Sequence, residues 1–142
     1  MNKLTVLTLF LASFVSLASA ARSDIAVIVH PDASVGAVTL QEAADVFLGK
    51  TREMRDGTML IPLDQKKNPK VRSEFYLSAA KKTEAQLRAY WARQVFTGQG
   101  EPPRSVANDR VVKQLVSKNP NMIGYIDADK VDDSVKAVLL IR

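Results

Sequence analysis

Residues 59–80 read Met59-Leu60-Ile61-Pro62-Leu63-Asp64-Gln65-Lys66-Lys67-Asn68-Pro69-Lys70-Val71-Arg72-Ser73-Glu74-Phe75-Tyr76-Leu77-Ser78-Ala79-Ala80, and the way this stretch divides decides the fold. Its first five residues are an apolar run of strand type, with Pro62 near the end. Asp64 to Pro69 is polar and turn-like. From Lys70 to Ala79, Val71, Phe75 and Ala79 recur at every fourth position, which places them on one face of a helix. Asn68 is placed to cap that helix, and Pro69 suits its first position, where the missing N–H costs nothing. A strand that feeds a helix start through a polar loop is how α/β domains present small anions, because free amides and the positive dipole end converge there. Lys66, Lys67, Lys70 and Arg72 crowd the same end. Two readings stay open: a bound anion relieves the crowding, or the side chains spread into water and are screened within about 8 Å.

Upstream, Lys3, the apolar run Leu4 to Leu17 and Ala18-Ser19-Ala20 have the three-part pattern of a secretory signal peptide. The apolar run is too short to span a membrane, so no stable membrane insertion is expected. Residues 1–20 are read as the signal and 21–142 as one domain of ordinary size, delivered to the periplasm. The chain has no cysteine, which excludes a disulfide framework and lipoprotein processing. Its formal charge of +5 falls to +4 without Lys3. That balance is mildly basic and mixed along the chain, so no nucleic-acid partner is expected.

In chain order, Ile25 to His30 is a nearly continuous apolar run, a strand buried on both faces. Thr39-Leu40-Gln41-Glu42 is a capping box, with Leu40, Ala43, Ala44, Phe47 and Leu48 inward and Gly49 just past the helix end. Thr83-Glu84-Ala85-Gln86 is a second capping box, opening a helix whose inner face carries Leu87, Tyr90, Trp91 and Val95. Tyr90-Trp91 suits stacking on a sugar or base, but helical spacing among apolar neighbours assigns the pair to the core. Gly98, Gly100, Pro102 and Pro103 form a loop. Asn108 caps a further helix, with Val111, Val112, Leu115 and Val116 inward. Met122 to Ile126 is a strand in which Gly124 marks a close backbone approach, and Val135 to Ile141 is the last strand. The order β-α-β-α-α-α-β-β, with long crossovers, predicts an α/β sheet covered by helices.

Chemistry is constrained by what is scarce. His30 is the single histidine, at a strand end where a structural role is the commoner one, and there is no cysteine; an enzyme is the weakest reading and none is expected. Asp127, Asp129, Asp132 and Asp133 lack the glycine and terminal glutamate of a calcium loop, and read as a solvated acidic turn. No cofactor or metal is implied.

Several segments together resemble a known family. Ile25 to His30, Leu40 to Lys50 with Val46-Phe47-Leu48-Gly49-Lys50, and Asn119-Pro120-Asn121-Met122-Ile123-Gly124-Tyr125-Ile126 are similar to one lobe of the phosphate ABC-transporter substrate-binding proteins. Tyr90-Trp91-Ala92-Arg93, Phe96-Thr97-Gly98 and Pro102-Pro103 look like the short, single-domain members of that group. The resemblance implies α/β architecture, a single lobe of the type II periplasmic-binding-protein-like fold with a mixed sheet flanked by helices. It implies a non-enzymatic solute-binding protein for inorganic phosphate or a similar anion, linked to ABC transport. Lys66, Lys67, Asn68, Arg72 and Ser73 are the expected ligand-binding residues, with Arg72 as the bidentate contact.

Two departures from the family follow. Its full-length members carry an Arg and a Ser-Gly-Thr run in the loop after the central strand. Here Asp64 stands roughly where that Arg would be, Ser-Gly-Thr is absent, and Arg72-Ser73 is the available substitute. Those proteins also close two lobes around the ligand, whereas a single open lobe cannot bury the roughly 70% of a ligand that a good site buries. Either a second copy or an envelope protein completes the cleft, or binding is weak. The alternative function is an envelope protein–protein interaction module that kept the fold and lost the ligand.

Overall fold

A computed structural model describes residues 24–142; the expected signal segment, residues 1–20, lies outside the described residues. These residues form five strands and four helices in the order β1 (Ile25–Val29), α1 (Leu40–Phe47), β2 (Ile61–Gln65), α2 (Pro69–Ala80), α3 (Glu84–Phe96), β3 (Arg104–Val106), α4 (Asp109–Lys118), β4 (Met122–Asp127) and β5 (Lys136–Ile141), with one 3₁₀ turn at Ala128–Lys130. The single sheet has the strand order β3-β2-β4-β1-β5. Its β3-β2-β4 half is parallel, while β1 runs antiparallel to both β4 and β5. This is the mixed sheet covered by helices that the crossover lengths require.

Side-chain alternation splits the core in two. On one face Ile25, Val27, Ile123 and Tyr125 pack with Phe47, Val71, Phe75, Tyr76, Leu87 and Trp91 from α1, α2 and α3. On the other, Ala26, Ile28, Leu63 and Ile126 meet Val112 and Val116 of α4. All five residues of β1 are buried, as its unbroken apolar run demands. Gly124 lies directly beneath α4: a Cβ there would stand 2.3 Å from Val112 Cγ1, so only glycine allows the helix to settle on the sheet. Both capping boxes form, Thr39 with Glu42 and Thr83 with Gln86. Gly49 follows α1 with φ +71°, a left-handed conformation that glycine adopts freely.

Four details differ from the sequence reading. The central strand sits two residues later than expected, so Asp64 and Gln65 are strand residues and are buried. A three-residue strand, β3, follows the proline-rich loop and pairs with Leu63–Gln65; it is too short to show a period. Asn68 makes no capping hydrogen bond to α2, although Pro69 does occupy its start. Leu40 and Val95, the first residue of α1 and the last but one of α3, are exposed, at 41% and 55%.

Candidate functional site

The C-terminal end of β2 lies in the middle of the parallel half of the sheet and delivers two polar side chains to opposite faces. Asp64 points to the aromatic face and Gln65 to the α4 face. Each meets a different network.

Asp64 is buried, and its carboxylate accepts from every side. Arg72, one turn into α2, donates through Nε at 3.2 Å to both oxygens and through Nη2 at 3.1 Å. Tyr76 Oη donates at 3.1 Å, and the Gln65 amide at 2.8 Å. Tyr125 Oη donates to Oδ1, the oxygen that the Gln65 backbone amide also reaches. The tyrosines are held by the core: Tyr125 stacks on Phe75 with ring centroids 4.1 Å apart and planes within 7°. The Arg72 guanidinium lies 5.1 Å above the Tyr76 ring, within cation–π range.

The other edge of Arg72 meets Glu84, the first residue of α3. Arg72 Nη1 donates to Glu84 Oε2 at 2.5 Å, and Ser73 Oγ donates to Glu84 Oε1 at 3.3 Å. One guanidinium thus sits between two carboxylates. Burial alone pulls the Arg72 charge down, but hydrogen bonds and charge from Asp64, then Glu84, outweigh it and hold the group above its ordinary range. Burial, with the Asp64 charge, pushes the Tyr76 and Tyr125 phenols above theirs.

On the opposite face, Asp109 opens α4 and is 1% exposed. It accepts from Gln65 Nε2 at 2.6 Å, Asn68 Nδ2 at 3.3 Å, the Asp127 amide at 3.2 Å and Lys130 Nζ at 3.1 Å. Gln65 Nε2 also reaches the Tyr125 carbonyl at 2.7 Å, which leaves Gln65 Oε1 buried without a partner among the described residues.

The five expected ligand residues are therefore placed as follows. Arg72 and Ser73 are neighbours, and both donate to Glu84. Asn68 faces Asp109, on the other side of β2. Lys66 and Lys67 stand in the loop between, exposed, and among the described residues no ion pair involves them. Their amides extend the β2–β3 pairing, donating to the Val106 and Ala107 carbonyls at 2.8 Å. The first turn of α2 holds no acid and no side-chain cap from Asn68; Pro69 has no amide N–H and the Arg72 amide donates to the Asn68 carbonyl at 3.0 Å, which leaves the Lys70 and Val71 amides as the free donors of a helix start. Two surface grooves of about 610 Å³ each are lined by other residues, one along the later turns of α2 and one beside the start of α4. Sequence reasoning missed Asp64, Asp109 and Glu84. The usable signal was an acid near the end of a strand with an arginine facing it from the next helix.

No protein-family model and no curated protein sequence matches the chain. Solved structures do. A phosphate ABC transporter substrate-binding protein with bound phosphate, from Clostridium perfringens, matches at 25% identity and a TM-score of 0.63, over 80% of this chain and 43% of that one. An ABC-type phosphate transport receptor from Vibrio cholerae matches at 18% identity and a TM-score of 0.62, over 80% and 44%. PstS from Borrelia burgdorferi matches at 13% identity and a TM-score of 0.57, over 80% and 46%. The latter two likenesses are of fold. The chain spans less than half the length of each of these structures. In fold, the described residues are similar to part of the phosphate ABC-transporter substrate-binding proteins.

Proposed function

We propose that the protein is a non-enzymatic, exported binding protein that takes phosphate or a related oxyanion at the start of α2. The observation that carries this reading is the bare first turn of α2, without acid or side-chain cap, flanked by the unpaired cations Lys66 and Lys67. Arg72 and Ser73 lie on the next turn and supply charge-assisted donors. The likeness to a phosphate-bound structure supports the choice of anion. One lobe covers a ligand on one side only, so binding is weak unless a second copy or an envelope protein completes the cleft. Among the described residues no helix is long and apolar enough to cross a membrane.

Titration calorimetry with inorganic phosphate is the test. The expected dissociation constant is about 1 mM, which corresponds to −4.1 kcal/mol, and Lys66→Glu/Lys67→Glu abolishes the heat. Absence of both heat and a melting shift at millimolar phosphate overturns the reading.

A specific observation favours a second reading, the interaction module without a ligand: Arg72 already has two carboxylates of its own chain. Capture of a defined envelope partner by a protein that binds no anion would establish it.

A further inference from the structure

Glu84 has a position that its helix alone does not explain. An acid in the first turn of a helix is favourable wherever it points, and Thr83 with Gln86 already completes the cap of α3. Charge balance does not call for Glu84 either, since Asp64 grips Arg72 through Nε and Nη2 and neutralises it. Yet the Glu84 carboxylate reaches back across the α2–α3 corner. It places one oxygen on Arg72 Nη1 and the other on Ser73 Oγ. Those are the two donors of α2 that an incoming oxyanion would use.

We infer that Glu84 is an intrachain occupant of the anion site, a carboxylate that a phosphate-like ligand must displace from Arg72 and Ser73. The inference rests on the oxyanion reading above and adds a competitor to it. The two carboxylates do different jobs. Asp64 is 4% exposed and tied to two tyrosines, so it fixes the plane of the guanidinium. The Glu84 side chain is 39% exposed and sits on the first turn of its helix, so its rotors can carry the carboxylate into water without disturbing the core. With Glu84 in place, Asp64, Arg72 and Glu84 together carry one negative charge, which repels an anion. With Glu84 swung out the trio presents a neutral pair, and the outer guanidinium edge and the Ser73 hydroxyl are open. Lys66 and Lys67 gather the anion nearby in either state.

The test is calorimetry with inorganic phosphate on wild type, Glu84→Gln and Glu84→Gln/Arg72→Met, with circular dichroism confirming the fold of each. The expected result is phosphate affinity about tenfold tighter in Glu84→Gln, a change of 1.4 kcal/mol, with the gain lost when Arg72 is also replaced. A second measurement uses the wild-type chain: phosphate should shift the Arg72 Nη resonances by nuclear magnetic resonance as Glu84 lets go. If wild type and Glu84→Gln bind phosphate equally, while Lys66→Glu/Lys67→Glu abolishes binding, the Glu84 inference falls and the oxyanion reading stands. If neither protein binds phosphate at millimolar concentration, both fall.

Discussion

Replacing Asp64 with Asn is the sharpest probe of the buried network. The amide keeps the shape of the carboxylate but carries no charge, and one of its two ends can only donate. Arg72 Nε and Nη2, Tyr76 Oη, Tyr125 Oη and the Gln65 amide all point at this group as donors. At least one of them therefore meets another donor. Breaking a buried ion pair by removing one partner costs about 3–5 kcal/mol. Arg72 is 22% exposed and keeps Glu84, so the low end applies, about 3 kcal/mol. Against a domain stability of about 5–15 kcal/mol that is a large share. With a urea slope of about 2 kcal/mol/M the unfolding midpoint falls by about 1.5 M. Equilibrium urea unfolding followed by Trp91 fluorescence measures this, and the slope itself should not change. Arg72→Met and the double variant complete a cycle whose coupling energy should be at least about 1 kcal/mol. A midpoint within about 0.25 M of wild type for Asp64→Asn would refute the argument.

Three further outcomes are expected. Gly124→Ala drives a methyl into Val112 Cγ1 and destabilises by about 1–3 kcal/mol; Val112→Ala in the same chain should restore part of the loss, and failure to do so would place the strain elsewhere. Alkaline pH should erode stability through Tyr76 and Tyr125. Their phenols are held above the ordinary value of 10.0 in the fold, so the unfolded chain loses these protons first. The contribution is whole below pH 10 and declines above it, by about 1.4 kcal/mol per pH unit for each tyrosine. Tyr125→Phe should flatten that slope in urea titrations between pH 9 and 11, and an unchanged slope would count against it. Phe96→Ser should be nearly neutral, within about 0.5 kcal/mol, because Phe96 is 92% exposed; a melting point several degrees lower would show that the ring is packed.

The elements built on local chemistry were legible in the sequence. The apolar run at Ile25 gave a buried strand, the Thr-Glu and Thr-Gln pairs opened α1 and α3, and Gly124 marked the approach of α4. Each of these rests on residues within a turn or two of one another, or on a single missing side chain. What escaped were the polar groups whose partners are remote. Asp64 and Gln65 read as turn residues because part of what buries them is remote: Tyr125 lies 61 residues from Asp64 and Asp109 lies 44 from Gln65, although Arg72 and Tyr76 stand only 8 and 12 residues beyond Asp64. The basic cluster at α2 was visible as composition, but the carboxylates that hold Arg72 were not, since the α2–α3 corner that returns Glu84 to it is a tertiary event. Asn68 had the right position for a cap, yet its Nδ2 donates to Asp109 across the sheet and its side chain accepts from no amide of α2.

The antiparallel strand inside the sheet has a consequence for how the molecule is made. β1 is written first, but its neighbours are β4 and β5, with Ile25 opposite both Asp127 and Ile141. Both sides of the opening strand wait for the closing ones. Loops that long must close before their contacts stabilise anything, which slows folding. A nascent chain halted before β4 would hold a strand with neither neighbour, and deletion of the final six residues would bare one flank of the apolar Ile25–Val29 run. Only when β4 and β5 are present does the first strand have both its neighbours.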